Sequence, residues 1–92
     1  MIKSVMYHKV NDFGKWKEAF DGFFEFRKSK GELSYSVGQL HGESNNAYVI
    51  NEWQSVENLQ QFVESTELRE AMKSAGVLEQ PHTLILEEVD RG

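Results

Sequence analysis

The sequence predicts an α+β domain in which one four-stranded antiparallel sheet carries helices on one face. Three observations lead there. Residues 2–10, 33–41, 47–53 and 82–89 read as short strands, with apolar side chains recurring at period two in the first, third and last. Residues 12–27, DFGKWKEAFDGFFEFR, place six aromatic rings in one amphipathic helix. Two shorter apolar patterns of helical spacing lie between the third and fourth strands.

In the first strand, Ile2, Met6 and Val10 point one way and Val5 and Tyr7 the other. Asn11 or Asp12 can cap the helix that follows. At ~100° per residue, Phe13, Trp16, Phe20, Phe23 and Phe24 form a stripe roughly 100° wide, which must bury itself. Bulky rings over a sheet can wall a flat apolar cavity as readily as fill it. The helix is expected to run unbroken to about Lys30 and to stop at Gly31, a residue that accepts the left-handed conformation. After the second strand, residues 42–46 read as a turn cluster. In the third strand, Val49 and Trp53 oppose Tyr48 and Ile50. Ser55 caps a short helix with Val56, Leu59, Phe62 and Val63 at helical spacing. Ser65 or Thr66 starts another, with Leu68, Ala71, Met72 and Ala75 inward, ending at Gly76. Pro81 precedes the last strand, where Leu84 and Leu86 oppose Ile85 and Val89.

This order, with right-handed split crossovers, gives a ferredoxin-like βαββαβ fold with strands in the spatial order 4-1-3-2, read as a single domain over residues 1–92. Three strands are apolar on both faces, yet helices cover only one. An uncovered antiparallel face is ordinarily polar. The exposed apolar face therefore calls for a partner, and a two-fold homodimer packed sheet on sheet is the economical answer.

Composition removes several function classes. A net charge of -5 argues against binding a phosphate backbone. With no cysteine, disulfides, thiolate metal sites and cysteine nucleophiles are excluded. No apolar run approaches the ~20 residues of a membrane span. The start, MIKSVMYHKV, has no signal-peptide core, so a cytoplasmic location is the default expectation. No Gly-rich phosphate loop, nucleophile elbow or zinc motif is present.

Several segments carry a family resemblance: HKV at residues 8–10, DFGKW at 12–16, EW at 52–53, ELREAM at 67–72, Gly76 and LEEV at 86–89. Together they resemble the dimeric α/β-barrel superfamily, and within it the small antibiotic-biosynthesis-monooxygenase-like proteins. The resemblance implies a dimeric α/β barrel with a ligand pocket between each sheet and its helices. That superfamily includes oxygenases that need no cofactor, haem degraders and non-catalytic binding domains, and fold alone does not choose among them.

His8 shares the helix-facing parity of Ile2 and Met6 and could take a phenolic proton near neutral pH. The structural alternative is a partly buried histidine satisfied by a backbone carbonyl. His8, His41 and His82 share one rim of the sheet. His41 lies about 10 Å from the first strand, two strand spacings away. That leaves His8 and His82 within joint reach, but no carboxylate stands at clear ligand spacing, and no metal is expected. Asn51, polar in an apolar strand, could hold a substrate carbonyl or an oxygen species, or bridge to backbone at a bulge. Arg27 lies at the centre of the aromatic stripe. It could pair a substrate carboxylate or enolate, though the preferred reading is a snorkelling side chain at a helix C-terminus. Tyr35 shares parity with Val37 and Leu33 and is placed along the same pocket. Trp53 is read more as packing than as a substrate contact. Glu87 and Glu88 point to opposite faces and form no acid–base pair.

The expected function is that of a cofactor-independent monooxygenase acting on a small aromatic or polyketide-like molecule. His8 would be the base, Asn51 the hydrogen-bond donor, and Trp16, Phe20, Phe24, Arg27, Tyr35 and Trp53 would contact substrate. The alternative is a homodimer that binds a small apolar molecule, or has a structural role, without catalysis. Haem binding ranks last, because the helical segment 67–76 offers no proximal histidine.

Overall fold

The computed structural model describes residues 1–92. The elements are β1 (Ile2–Lys9), α1 (Phe13–Gly22), α2 (Phe24–Ser29), β2 (Glu32–Leu40), β3 (Glu43–Trp53), α3 (Val56–Val63), α4 (Thr66–Ser74) and β4 (His82–Glu87). The strands form one antiparallel sheet in the order β2-β3-β1-β4. This is the predicted topology. No helix is long and apolar enough to cross a membrane.

The caps follow the sequence. Asp12, Ser55 and Ser65 accept hydrogen bonds from the backbone N–H three residues on, satisfying a donor that each helix start leaves free. Gly31 closes α2 with φ +102°, and its carbonyl accepts from Gln54 N at 2.9 Å. A side chain there would meet both backbone strain and Asn58.

Three local expectations are corrected. The aromatic helix is not continuous: it breaks at Phe23. Gly22 weakens the helix at that point, and Arg27 Nη1 donates to the Phe20 carbonyl, which sits in the last turn of α1. The break splits the stripe. Phe13, Trp16 and Phe20 remain in one stack, while Phe23 and Phe26 turn toward Phe62 of α3. Second, residues 42–46 are not an open turn, since β3 begins at Glu43. Asn46 pairs with Lys9 of β1 and the Asn45 carbonyl accepts from Val10 N, so tertiary pairing overrides local turn preference. Third, β2 carries a bulge. Glu32 pairs with Trp53 and Ser34 with Glu52, leaving Leu33 as the extra residue. Glu32 and Tyr35 consequently face the same side.

The inner sheet face presents Ser4, Met6, His8, Val49, Asn51 and Trp53 to the helices, all buried. Two clusters fill it. One joins Met6, Trp53, Leu59 and Phe62, and the other joins Val10, Trp16, Ala47, Val49 and Ala75. The outer face carries Val5, Tyr7, Tyr48, Ile50, Leu84 and Leu86, and nothing in the chain covers it. There Tyr48 lies across Gly38, where any Cβ would fall 2.6 Å from its ring.

Candidate functional site

A cavity of about 70 Å³ lies between the inner sheet face and the helices. The sheet supplies Met6, His8, Val49 and Asn51. The split aromatic helix supplies Trp16, Ala19, Phe20, Phe23 and Arg27, and α3 supplies Phe62. Leu68, Ala71 and Met72 of α4, with Ala75 just beyond it, close the remaining side.

His8 sits on β1 opposite Ala47, 5% exposed, with its ring edge-on to Trp16 at 5.6 Å. Neither ring nitrogen has a protein partner. The backbone-satisfied histidine expected as the alternative is therefore not what the fold builds. Burial pushes His8 below its ordinary value of 6.5, and the negative charge of Glu79 opposes this only in part. The imidazole is thus neutral at pH 7, the form that accepts a proton.

Asn51 is engaged by side chains, not by bulge backbone. Its amide nitrogen donates to Glu32 Oε2 at 2.5 Å, and its Oδ1 accepts from Ser4 Oγ at 3.2 Å. Ser4 Oγ in turn accepts from Trp53 Nε1 at 2.9 Å. Glu32 also accepts from Arg27 Nε, at 3.1 Å to each carboxylate oxygen. A chain of buried polar groups thus runs from Trp53 to Arg27.

Arg27 does not snorkel; it is 2% exposed. The guanidinium lies 3.7 Å from the Phe20 ring centre and is flanked by Tyr35 at 5.1 Å and Phe24 at 5.8 Å. Nη1 donates to the Phe20 carbonyl, and Nη2 is buried without a protein partner.

Of the residues singled out from sequence, His8, Asn51, Trp16, Phe20 and Arg27 come together around the cavity. Phe24, Tyr35 and Trp53 do not line it. Phe24 and Tyr35 stand on the solvent side of Arg27, in contact with each other and open to water. Trp53 is consumed by packing against Phe62 and by its bond to Ser4. The pairing of His8 with His82 also fails. His82 is opposite Tyr7 on the outer face and stacks on that ring at 4.7 Å, while His8 faces inward.

Glu32 is the residue that sequence reasoning missed. A signal was present: an arginine at the centre of an apolar stripe needs a counter-charge, and Glu32 follows just past the helix-ending glycine. Strand parity hid it, because the Leu33 bulge restores Glu32 to the inner face.

In three dimensions the chain is similar to an antibiotic biosynthesis monooxygenase, with TM-score 0.75 and 12% identity, covering 98% of this chain and 100% of that one. It is similar to a cofactor-independent oxygenase from Streptomyces nogalater, with TM-score 0.79 and 10% identity over 98% of this chain and 94% of that one. A dimeric ferredoxin-like protein from an uncultured marine organism matches with TM-score 0.68 and 10% identity, covering 100% and 98%. No protein-family model and no curated protein matches the sequence. The chain has the ferredoxin-like fold shared by antibiotic-biosynthesis-monooxygenase-like proteins.

Proposed function

We propose that the chain is a cofactor-independent monooxygenase-like protein that takes a small aromatic molecule into the cavity between sheet and helices. The observation that carries this reading is the unpartnered, neutral His8 imidazole in an apolar enclosure. Such a base can accept a phenolic proton where no water competes for it. The resulting electron-rich anion can react with dioxygen directly. Engineered cavities of about 150 Å³ bind benzene, so the space of about 70 Å³ must widen even for one ring. That size favours a monocyclic substrate over a fused polyketide-like system.

Oxygen uptake with a panel of monocyclic phenols tests the reading. We expect consumption above the protein-free rate for the wild type and none for a folded His8→Ala variant. Undiminished uptake by that variant would remove His8 as the base. Saturable binding without uptake would support the non-catalytic alternative.

The working unit of this proposal is a homodimer joined through the outer sheet face. Val5, Tyr7, Ile50, Leu84 and Leu86 there give an apolar surface that a second copy would cover. Native mass spectrometry should give a dimer for the wild type and a monomer for Ile50→Glu. A monomeric wild type would overturn this arrangement.

A further inference from the structure

Two buried polar groups stand at the cavity with hydrogen-bonding capacity unused: the His8 imidazole and Arg27 Nη2. They are joined by a run of rings. His8 is edge-on to Trp16, Trp16 stacks on Phe20 at 5.4 Å and 24°, and Phe20 lies under the Arg27 guanidinium. The unused groups therefore sit at opposite ends of a flat aromatic wall. The remaining nitrogens of Arg27 are committed, Nε to Glu32 and Nη1 to the Phe20 carbonyl, which fixes the plane of the guanidinium and leaves Nη2 as a single oriented donor.

Charge narrows the ligand further. Glu32 neutralises Arg27, His8 is neutral, and most of the lining is hydrophobic. A carboxylate entering this space would bring a charge with no free counter-charge, which is costly in an apolar enclosure. A neutral acceptor would lose nothing by entering.

Resting on the proposed ligand-binding role of the cavity, we infer that Arg27 Nη2 is the specificity-determining anchor for a carbonyl oxygen, and that the ligand is an uncharged planar ring bearing a hydroxyl at one edge and a conjugated carbonyl at the other. The hydroxyl proton passes to His8, giving an imidazolium and a phenolate. Conjugation carries the negative charge to the carbonyl oxygen, where Arg27 Nη2 meets it. The site's net charge is unchanged by the transfer, and the donor is placed where charge develops. Glu32 is the positioning residue that holds the guanidinium in that orientation.

The test compares para-hydroxybenzaldehyde, para-cresol and benzaldehyde as probes, followed by calorimetry and by the absorption shift that marks the ionised phenol. The wild type should bind para-hydroxybenzaldehyde at least about tenfold tighter than para-cresol, the effect of one added hydrogen bond, and should show the ionised spectrum. Arg27→Lys keeps a cation for Glu32 but lacks the second donor. It should lose about tenfold for the two aldehydes and nothing for para-cresol. His8→Ala should abolish the spectral shift and still bind benzaldehyde. Glu32→Gln gives a second route that does not depend on Arg27→Lys folding: with Arg27 uncompensated, benzoate should bind at least tenfold tighter than it does to the wild type. If Arg27→Lys matches the wild type on all three probes, or Glu32→Gln gains nothing for benzoate, the anchor is overturned while the cavity remains a binding site. If the wild type binds none of the probes, the ligand-site reading itself fails and the anchor with it.

Discussion

The helices α3 and α4 are nearly equal in length, each is capped by a serine, and they follow one another in the chain. They do opposite work. α3 buries Leu59 and Phe62 completely against Met6 and Trp53. α4 buries no residue at all; it turns Leu68, Ala71 and Met72 to the cavity. The sheet beneath repeats the contrast. On the α3 side, Trp53, Ser4, Asn51 and Glu32 satisfy one another. In the cavity, His8 and one nitrogen of Arg27 are left open. One half of the inner face is a closed core that holds the fold. The other is space held open by small and flexible side chains, Ala71, Ala75 and Met72, which can yield to a ligand.

The sharpest break of this comparison is Leu59→Ala. A fully buried leucine with no room to relax should cost about 2–5 kcal/mol, read from the urea midpoint. Leu68→Ala on α4 should cost less than about 1 kcal/mol, because that side chain is only partly buried beside an existing void. Equal losses would abolish the distinction. Next in size is Ser4→Ala, which leaves the Trp53 indole N–H and the Asn51 amide short of a partner and should cost about 1–3 kcal/mol. Native-state hydrogen exchange should then show α4 amides exchanging faster than those of α3 under identical conditions; the reverse order would place the loose wall elsewhere. The smallest effect is a pH dependence. The folded-state value of His8 is depressed, so the unfolded chain binds the proton more readily. Stability is full above the unfolded value of about 6.5 and falls as pH drops through the lowered folded value. His8→Ala should remove that component of the denaturation midpoint's slope below pH 6.5 and leave it unchanged above.

Much of this fold was legible because its signals are local. Alternation in β1 assigned Met6 and Val10 to the inner face and Val5 and Tyr7 to the outer one, and the pairing agrees. Asp12, Ser55 and Ser65 cap through their own side chains, and Gly31 and Gly76 adopt positive φ, as helix-ending glycines do. What escaped prediction depends on contacts distant in sequence or on a slip in register. The break at Phe23 needs the bond from Arg27 back to the Phe20 carbonyl. The early start of β3 needs the end of β1. Glu32 needs the extra residue in β2. For the same reason the site was half visible. Period and parity gave His8, Asn51, Trp16 and Phe20, whereas Phe24 and Tyr35 were assigned to a wall from which the helix break and the intervening guanidinium separate them.

The bulge at Leu33 also decides which genetic changes this chain can absorb. Leu33 is 57% exposed, and substitution there touches little. Deletion is a different matter. Losing that one codon would bring β2 into simple alternation and swing the Glu32 carboxylate to solvent. Arg27 would then be sealed among aromatic rings without its counter-ion, and Asn51 without its acceptor. A scan of single-residue deletions should therefore find its deepest intolerance at one of the most exposed side chains in the sheet, a place where a scan of substitutions would report almost nothing.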